Sequence, residues 1–252
     1  MLIIPVISSC NKVIDLNLGN QTGELVIEGN VNDAHGQTIK LSRNVPFTNT
    51  NTYPMVTGAT ITVTDGVSGF RFTEGPPGIY TASRMIGFDG VSYTMTVVTN
   101  GTTYTSTSKM PFKVSLDSIT ESKSVFNSTK DLREISVHFR DPAGFTNQYN
   151  FVMYVNNVQV KDIFAYNDDF TDGRDVDIDL VENDTDIVTG DTVKVEMQCI
   201  DKPMYTYWST LMQQNNDFGQ GVTPSNPPTN ITPATLGYFS AHTTQTKTII
   251  VK

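Results

Sequence analysis

Along most of the chain, short runs of alternating apolar and polar side chains follow one another, the period of strands with one face buried. In "GATITVTDG", Ala59, Ile61 and Val63 fall on one side and Thr60, Thr62 and Thr64 on the other. "ELVIEGNV" and "QTIKLSRN" flank the turn-rich link "NDAHG", and "FRFTE" and "GIYTA" bracket "GPPG", where proline and glycine force a turn. In "SYTMTVVTNGTTYTSTS" two alternating runs meet at Asn100-Gly101, a pair favoured in a type I′ hairpin because both positions need positive φ. Strands this short and evenly spaced predict an immunoglobulin-like or prealbumin-like β-sandwich over residues 22–110.

Pro111 punctuates the end of the hairpin and places a boundary near Met110 to Phe112. Residues 111–252 form a second β-rich region, with strands expected in "FKVSLDS", "REISVHFRD", "QYNFVMYV", "VQVKDIFAY", "VDIDLV" and "TVKVEMQCI". One short helix is expected in "DKPMYTYWSTLMQQNN", where Tyr205, Trp208, Leu211 and Met212 share a face. Asp201 can cap it, and Pro203 is tolerated in its first turn. Trp208 reads there as a packing anchor rather than a ligand platform. "LGYFSA" and "TKTIIVK" close the chain as two further strands, so the predicted fold class is all-β.

Composition sharpens this picture. Only 17% of the 252 residues are charged, and the polar positions are filled by threonine, serine, asparagine and glutamine, a balance that points to an extracytoplasmic all-β protein. The net charge of −9 comes from one segment: Asp168 to Asp191 holds ten acids and one base, Arg174. Without a basic patch or stripe, the sequence offers no electrostatic footprint for nucleic acid.

The opening "MLIIPVISSC" is an apolar run that stops at a cysteine. Ile7, Ser8 and Ser9 before Cys10 resemble a bacterial lipobox, in which small residues precede the scissile bond and the cysteine thiol takes the lipid. None of the nine residues before Cys10 is basic, so the reading expects the leader to begin upstream of Met1. The alternative is a buried N-terminal strand that contains a cysteine. On the lipobox reading, residues 1–21 divide into a leader ending at Ser9 and a polar tether from Cys10, with a multiply acylated Cys10 as the membrane anchor. Cys199 alternates with polar residues in "TVKVEMQCI" and reads as an inert core position.

Candidate chemistry is sparse. His35, His138 and His242 lack partners at metal-ligand spacing, and no G-x-S-x-G nucleophile motif occurs, so no catalytic residue is assigned. In the register of a calcium loop, Asp168 at position 1 puts Asp172 at 5, Gly173 at 6 and Asp179 at 12, but Phe170 at 3 cannot coordinate. A solvated acidic strand, with Asp175, Asp177 and Asp179 on its outer face, is the first reading. Calcium at Asp168, Asp172 and Asp179 is the second, and otherwise no cofactor is expected.

Near the C-terminus stands "NPPTNITPATLGYFSAHTTQTKTIIV". This stretch resembles the C-terminal signature of a family of Bacteroidota outer-membrane lipoproteins catalogued as domain of unknown function 4249. Its other elements stand here in the family's order: lipobox, "LVIEG", "GATITVTDG", "GIYTA", "FDGVSYTMTV", and the proline-asparagine stretch before "LGYFSA". "YNDDFTDGRDV" also resembles the family's acidic turn.

The resemblance implies a β-sandwich lipoprotein on the outer membrane, often encoded near TonB-dependent transporters, and brings no catalytic residues. The expected function is a non-catalytic, lipid-anchored accessory or binding protein of a TonB-dependent nutrient uptake system. Its partners would be the membrane, through acylated Cys10, and a transporter. Its ligand-facing parts would be the polar loop Thr48 to Tyr53 and the aromatic-rich C-terminal region. A structural or adhesive, pilus-like subunit is the alternative, with "TKTIIVK" as the strand to be exchanged. A hydrolase with an unrecognised site is a third reading.

Overall fold

Where the sequence alternates, the chain is extended and the apolar set is buried. The computed structural model describes residues 23–34, 36–46, 52–124, 131–182, 184–215 and 226–252. The leader, Cys10, the tether and His35 lie outside the described residues, as do residues 48–51 of the expected ligand loop. Among the described residues the fold is all-β with one helix. No helix among the described residues is long and apolar enough to cross a membrane.

The first half contains β1 (Leu25–Asn32), β2 (Gln37–Arg43), β3 (Thr60–Thr64), β4 (Gly69–Glu74), β5 (Ile79–Ala82), β6 (Ser92–Thr99) and β7 (Thr102–Lys109). All its pairings are antiparallel and run in the order β1-β2-β5-β4-β3-β6-β7. The β6–β7 turn is the expected one: Asn100 and Gly101 have φ of 52° and 76°. Ile27 and Ile39 from one layer meet Ile61, Met95 and Val97 from the other in a core that excludes water.

The second half contains β8 (Leu116–Lys123), β9 (Arg133–Arg140), β10 (Gln148–Val155), β11 (Val158–Gln159), β12 (Phe164–Asn167), β13 (Asp175–Leu180) and β14 (Thr192–Cys199). β13, β9 and β8 form a three-stranded sheet. It covers β10 and β14 across a second core built on Ile135, Val137, Phe139, Phe151, Met153, Val195 and Met197. The run "VQVKDIFAY", expected as one strand, is two short ones: both pair with β10, the Val160 N–H still bonding the Met153 carbonyl at 2.9 Å, and the ladder is interrupted at residues 161–163 before Phe164↔Phe151.

Helix α1 (Lys202–Asn215) stands at the expected place. Asp201 caps it, Oδ1 accepting from the Met204 N–H at 3.1 Å. Asp201 Oδ2 also accepts from the Ser108 hydroxyl at 2.7 Å and the Lys109 N–H at 3.1 Å, so the helix start is tied to β7.

The last strands join the halves. β15 (Ile231–Thr232) adds to β7, and β16 runs unbroken from Leu236 to Ile250, where two strands were expected. Its first part lies parallel to β1, from Leu236↔Val26 to His242↔Asn32. Its second part lies antiparallel to β14, from Thr243↔Cys199 to Ile250↔Thr192. The residues between "LGYFSA" and "TKTIIVK" contain no glycine or proline to break the ladder. The boundary at Met110–Phe112 is therefore crossed twice, and Ile231, Phe239 and Ala241 complete the N-terminal core.

Backbone contact between β16 and β1 is close. Gly237 has φ +95°, and a Cβ there would stand 2.0 Å from the Ile27 carbonyl oxygen. Gly101 also has positive φ, +76°, but faces open space. In urea denaturation, Gly237→Ala is expected to lose about 3 kcal/mol or more, and Gly101→Ala about 1 kcal/mol, the cost of its backbone conformation alone. Equal losses would contradict the close β16–β1 seat.

Candidate functional site

Register decides which side chains can meet. Odd-numbered residues of β1 and β16 (Ile27, Val31, Phe239, Ala241) enter the N-terminal core. Odd-numbered residues of β10 and β14 (Phe151, Met153, Val195, Met197) enter the C-terminal core. The pairings Ile27↔Gly237, Cys199↔Thr243 and Tyr149↔Cys199 keep odd beside odd across all four strands. Both cores therefore lie on one face of a single sheet, ordered β10-β14-β16-β1. Even-numbered residues point to the other face, where α1 packs over β12, β10 and β16.

A cleft of about 320 Å³ opens on that face. Its floor carries Asn30 and Asn32 from β1, His242 from β16, Glu196 and Gln198 from β14 and Asn150 from β10. The amides form a chain: Asn150 Nδ2 donates to Gln198 Oε1 at 2.9 Å, and Gln198 Nε2 donates to Glu196 Oε1 at 2.7 Å. Trp208 from α1 and Tyr238 from β16 form an aromatic wall. Their ring centroids are 5.1 Å apart at 62°, and Tyr207 lies 5.1 Å from each. Such edge contacts hold the rings in place. Burial pushes the Tyr238 hydroxyl up to about 12, with an Asn30 hydrogen bond acting against it, so the phenol stays protonated.

His242 is buried in this floor, with Ser240 Oγ at 2.9 Å from its Nδ1. Burial drives its pKa down to about 4, against a smaller upward pull from Asp33. The imidazole is thus a neutral hydrogen-bonding group and a weak base.

The other sequence candidates lie elsewhere. Tyr53, at the end of the expected ligand loop, is 47% exposed. Cys199 is buried on its strand's apolar face, and burial raises its thiol pKa. Phe239, beside Tyr238, points into the core rather than toward a ligand. Trp208 packs as expected and also lines the cleft, which its helical spacing did not indicate.

The acidic stretch resolves into two arrangements. Asp175, Asp177 and Asp179 are exposed on β13, as the alternation predicts. Across the ladder they meet Arg140 at 3.1 Å, His138, and the Ser136 hydroxyl at 2.6 Å. Asp168 and Asp172 instead gather with Asp141, one carboxylate oxygen from each lying within 4.8 Å of the others. These three could offer oxygens to a cation, but each already holds part of a loop. Asp168 accepts from the Asn147 N–H and Asp172 from the Gly144 N–H, both at 2.7 Å, while Asp141 accepts from the buried Tyr149 hydroxyl. Burial and the two neighbouring carboxylates raise the Asp141 pKa. Calcium takes 6–8 oxygens, so an ion there would draw the rest of its shell from backbone carbonyls or water.

A second hollow, about 610 Å³, lies where the halves meet. It is lined by Met110, Pro111 and the exposed Phe112 and Phe145. Its walls are mainly loop residues, whereas the polar groups of the cleft stand on paired strands.

A family model described as Domain of unknown function (DUF4249) matches residues 11–248. The chain belongs to this family. No curated protein matches the chain. The DUF4249 match runs from before β1 into β16, so the family unit takes in both halves and all four strands beneath the cleft.

The buried histidine makes stability depend on pH. Its unfolded value is 6.5 and its folded value about 4, so folding favours the neutral form. That contribution is fully present above pH 6.5 and is lost as pH falls toward 4, in all about 3 kcal/mol. His242→Gln is expected to flatten the stability-against-pH curve in this window by up to one proton, read by urea midpoints. An unchanged slope would show that His242 is not buried as a neutral group.

Proposed function

We propose that this DUF4249 protein is a non-catalytic binding protein, held at the outer membrane by acylated Cys10, that captures a solute for a TonB-dependent uptake system. The observation that carries the binding reading is the cleft, where convergent polar groups from both halves stand beside an aromatic wall on rigid strands. Ligand sites in general combine such a concave surface with a few fixed polar groups. The membrane and transporter parts rest on the lipobox-like "VISSC" and on the ordered family elements. Binding is proposed to need no cofactor. The side chains at the cleft suit holding rather than chemistry: Glu196 is already engaged by Gln198, and His242 is a weak base.

Native expression from the full upstream reading frame tests the anchoring. Intact mass should show cleavage before Cys10 and added acyl chains, with the protein in the membrane fraction and a TonB-dependent transporter in its pull-down. A soluble chain with an unmodified Cys10 would overturn the lipoprotein reading. Loss of the transporter from pull-downs of a correctly acylated protein would overturn the uptake role.

A further inference from the structure

The chemistry of the cleft narrows what can enter it. Among the described residues that line it there is no lysine or arginine, and Asp162 and Glu196 are part of its lining. Phosphates and carboxylates would meet that negative charge, and the ammonium of Lys194, beside the lining, is already placed over the Tyr154 ring at 4.0 Å. The amides of Asn30, Asn32 and Asn150 are each partly engaged within the protein, and an apolar solute would leave their remaining donor and acceptor capacity unfilled.

Amide side chains donate and accept at once, as hydroxyl groups do. The Asn150–Gln198–Glu196 chain runs across the ladder from β10 to β14 and then along β14, and presents both donors and acceptors on the floor. Trp208 adds a flat apolar wall, held by Tyr207 and Tyr238. A pyranose ring has a matching surface: hydroxyls around its edge and C–H groups on its face. The cleft's 320 Å³ lies at the small end of the range for ligand sites, which suits one or two rings rather than a long chain.

We infer that the cleft between α1 and the β10-β14-β16-β1 face binds a neutral saccharide, with a sugar face stacked on Trp208 and its hydroxyls bonded to Asn150, Gln198 and Glu196. This rests on the reading of the cleft as the protein's binding site. Glu196 then accepts from sugar hydroxyls while keeping its Gln198 bond, and neutral His242 adds a hydrogen-bonding group without charge.

The sequence contains one tryptophan, so fluorescence excited at the indole reports on Trp208 alone. The folded protein would be titrated with neutral sugars (glucose, galactose, xylose, maltose, cellobiose) and with inorganic phosphate, citrate, spermidine and a tripeptide as charged probes. A saturable change with at least one sugar, and none with the charged probes, is the expected result. Gln198→Ala and Asn150→Ala should each weaken that sugar about tenfold, with each variant still fully folded at the titration temperature by its thermal unfolding curve. Trp208→Ala, followed by calorimetry, should weaken it by a similar factor, and Trp208→Phe should restore part of the loss.

Silence from every sugar together with a Gln198-dependent response to a charged probe would overturn the saccharide assignment and leave the cleft as a site. Silence from all probes would overturn the cleft as a binding site, and the inference with it. Sugar binding unaffected by Gln198→Ala, Asn150→Ala and Trp208→Ala would move the site elsewhere and also overturn the inference.

Discussion

Everything in this fold hangs on one strand shared between two partners. β16 gives its first seven pairings to β1 and its next eight to β14, so hydrogen bonds that would otherwise belong to separate sheets run through one extended segment. Backbone groups on a buried strand must all be paired. The chain meets that demand by bringing its C-terminus back against its first strand. Gly237 permits the approach, since any Cβ would collide with the Ile27 carbonyl. Asp33 secures the point where β16 passes from one partner to the other, accepting from the Thr244 N–H at 2.8 Å, the Thr244 hydroxyl at 2.9 Å and the Lys113 ammonium at 2.6 Å. Burial alone would raise its pKa, but these bonds hold the carboxyl below the ordinary aspartate range.

A shared strand also has a consequence for the surface. Because β16 keeps one alternation throughout, the two cores fall on the same side of the sheet and leave the other side continuous across both halves. That free side would be an ordinary solvated surface without α1. Asp201 prevents this by bonding the helix start to Ser108 and Lys109 of β7, so the helix is held over the sheet and its aromatic face closes one wall of the cleft. Ser108 Oγ also accepts from the Ala241 N–H at 2.9 Å, which joins helix cap, β7 and β16 through one side chain. The proposed binding site is thus a product of topology, made from residues that are far apart along the chain.

Local features were legible in the sequence. The Asn100-Gly101 turn, the Ile61–Val63 alternation, the Asp201 cap and the outward-facing acids of β13 each depend on residues within a few positions of one another. What escaped were the long-range outcomes. Two strand segments merged into one because nothing polar or apolar distinguishes Ser240–Gln245 as a loop or a strand when neighbours are unknown. Trp208 was legible as a packing residue but not as a cleft wall, since helical spacing shows which face is apolar and not whether its edge stays open. Asp141 was missed beside Asp168 and Asp172 because the cluster is assembled across a loop closure, while Asp179, in register with a calcium loop by counting, is drawn away by Ser136. The amide floor had no signal at all: Asn30, Asn150 and Gln198 are each unremarkable on the polar face of a strand.

β16 makes the two halves one cooperative body and thereby fixes the cleft. Native-state hydrogen exchange along this strand tests it most directly. The amides of β16 that pair with β1 and those that pair with β14 should open with the same free energy, equal to that of global unfolding. Two separate classes, with one part of β16 opening well below the global value, would show two independently unfolding halves and contradict the account.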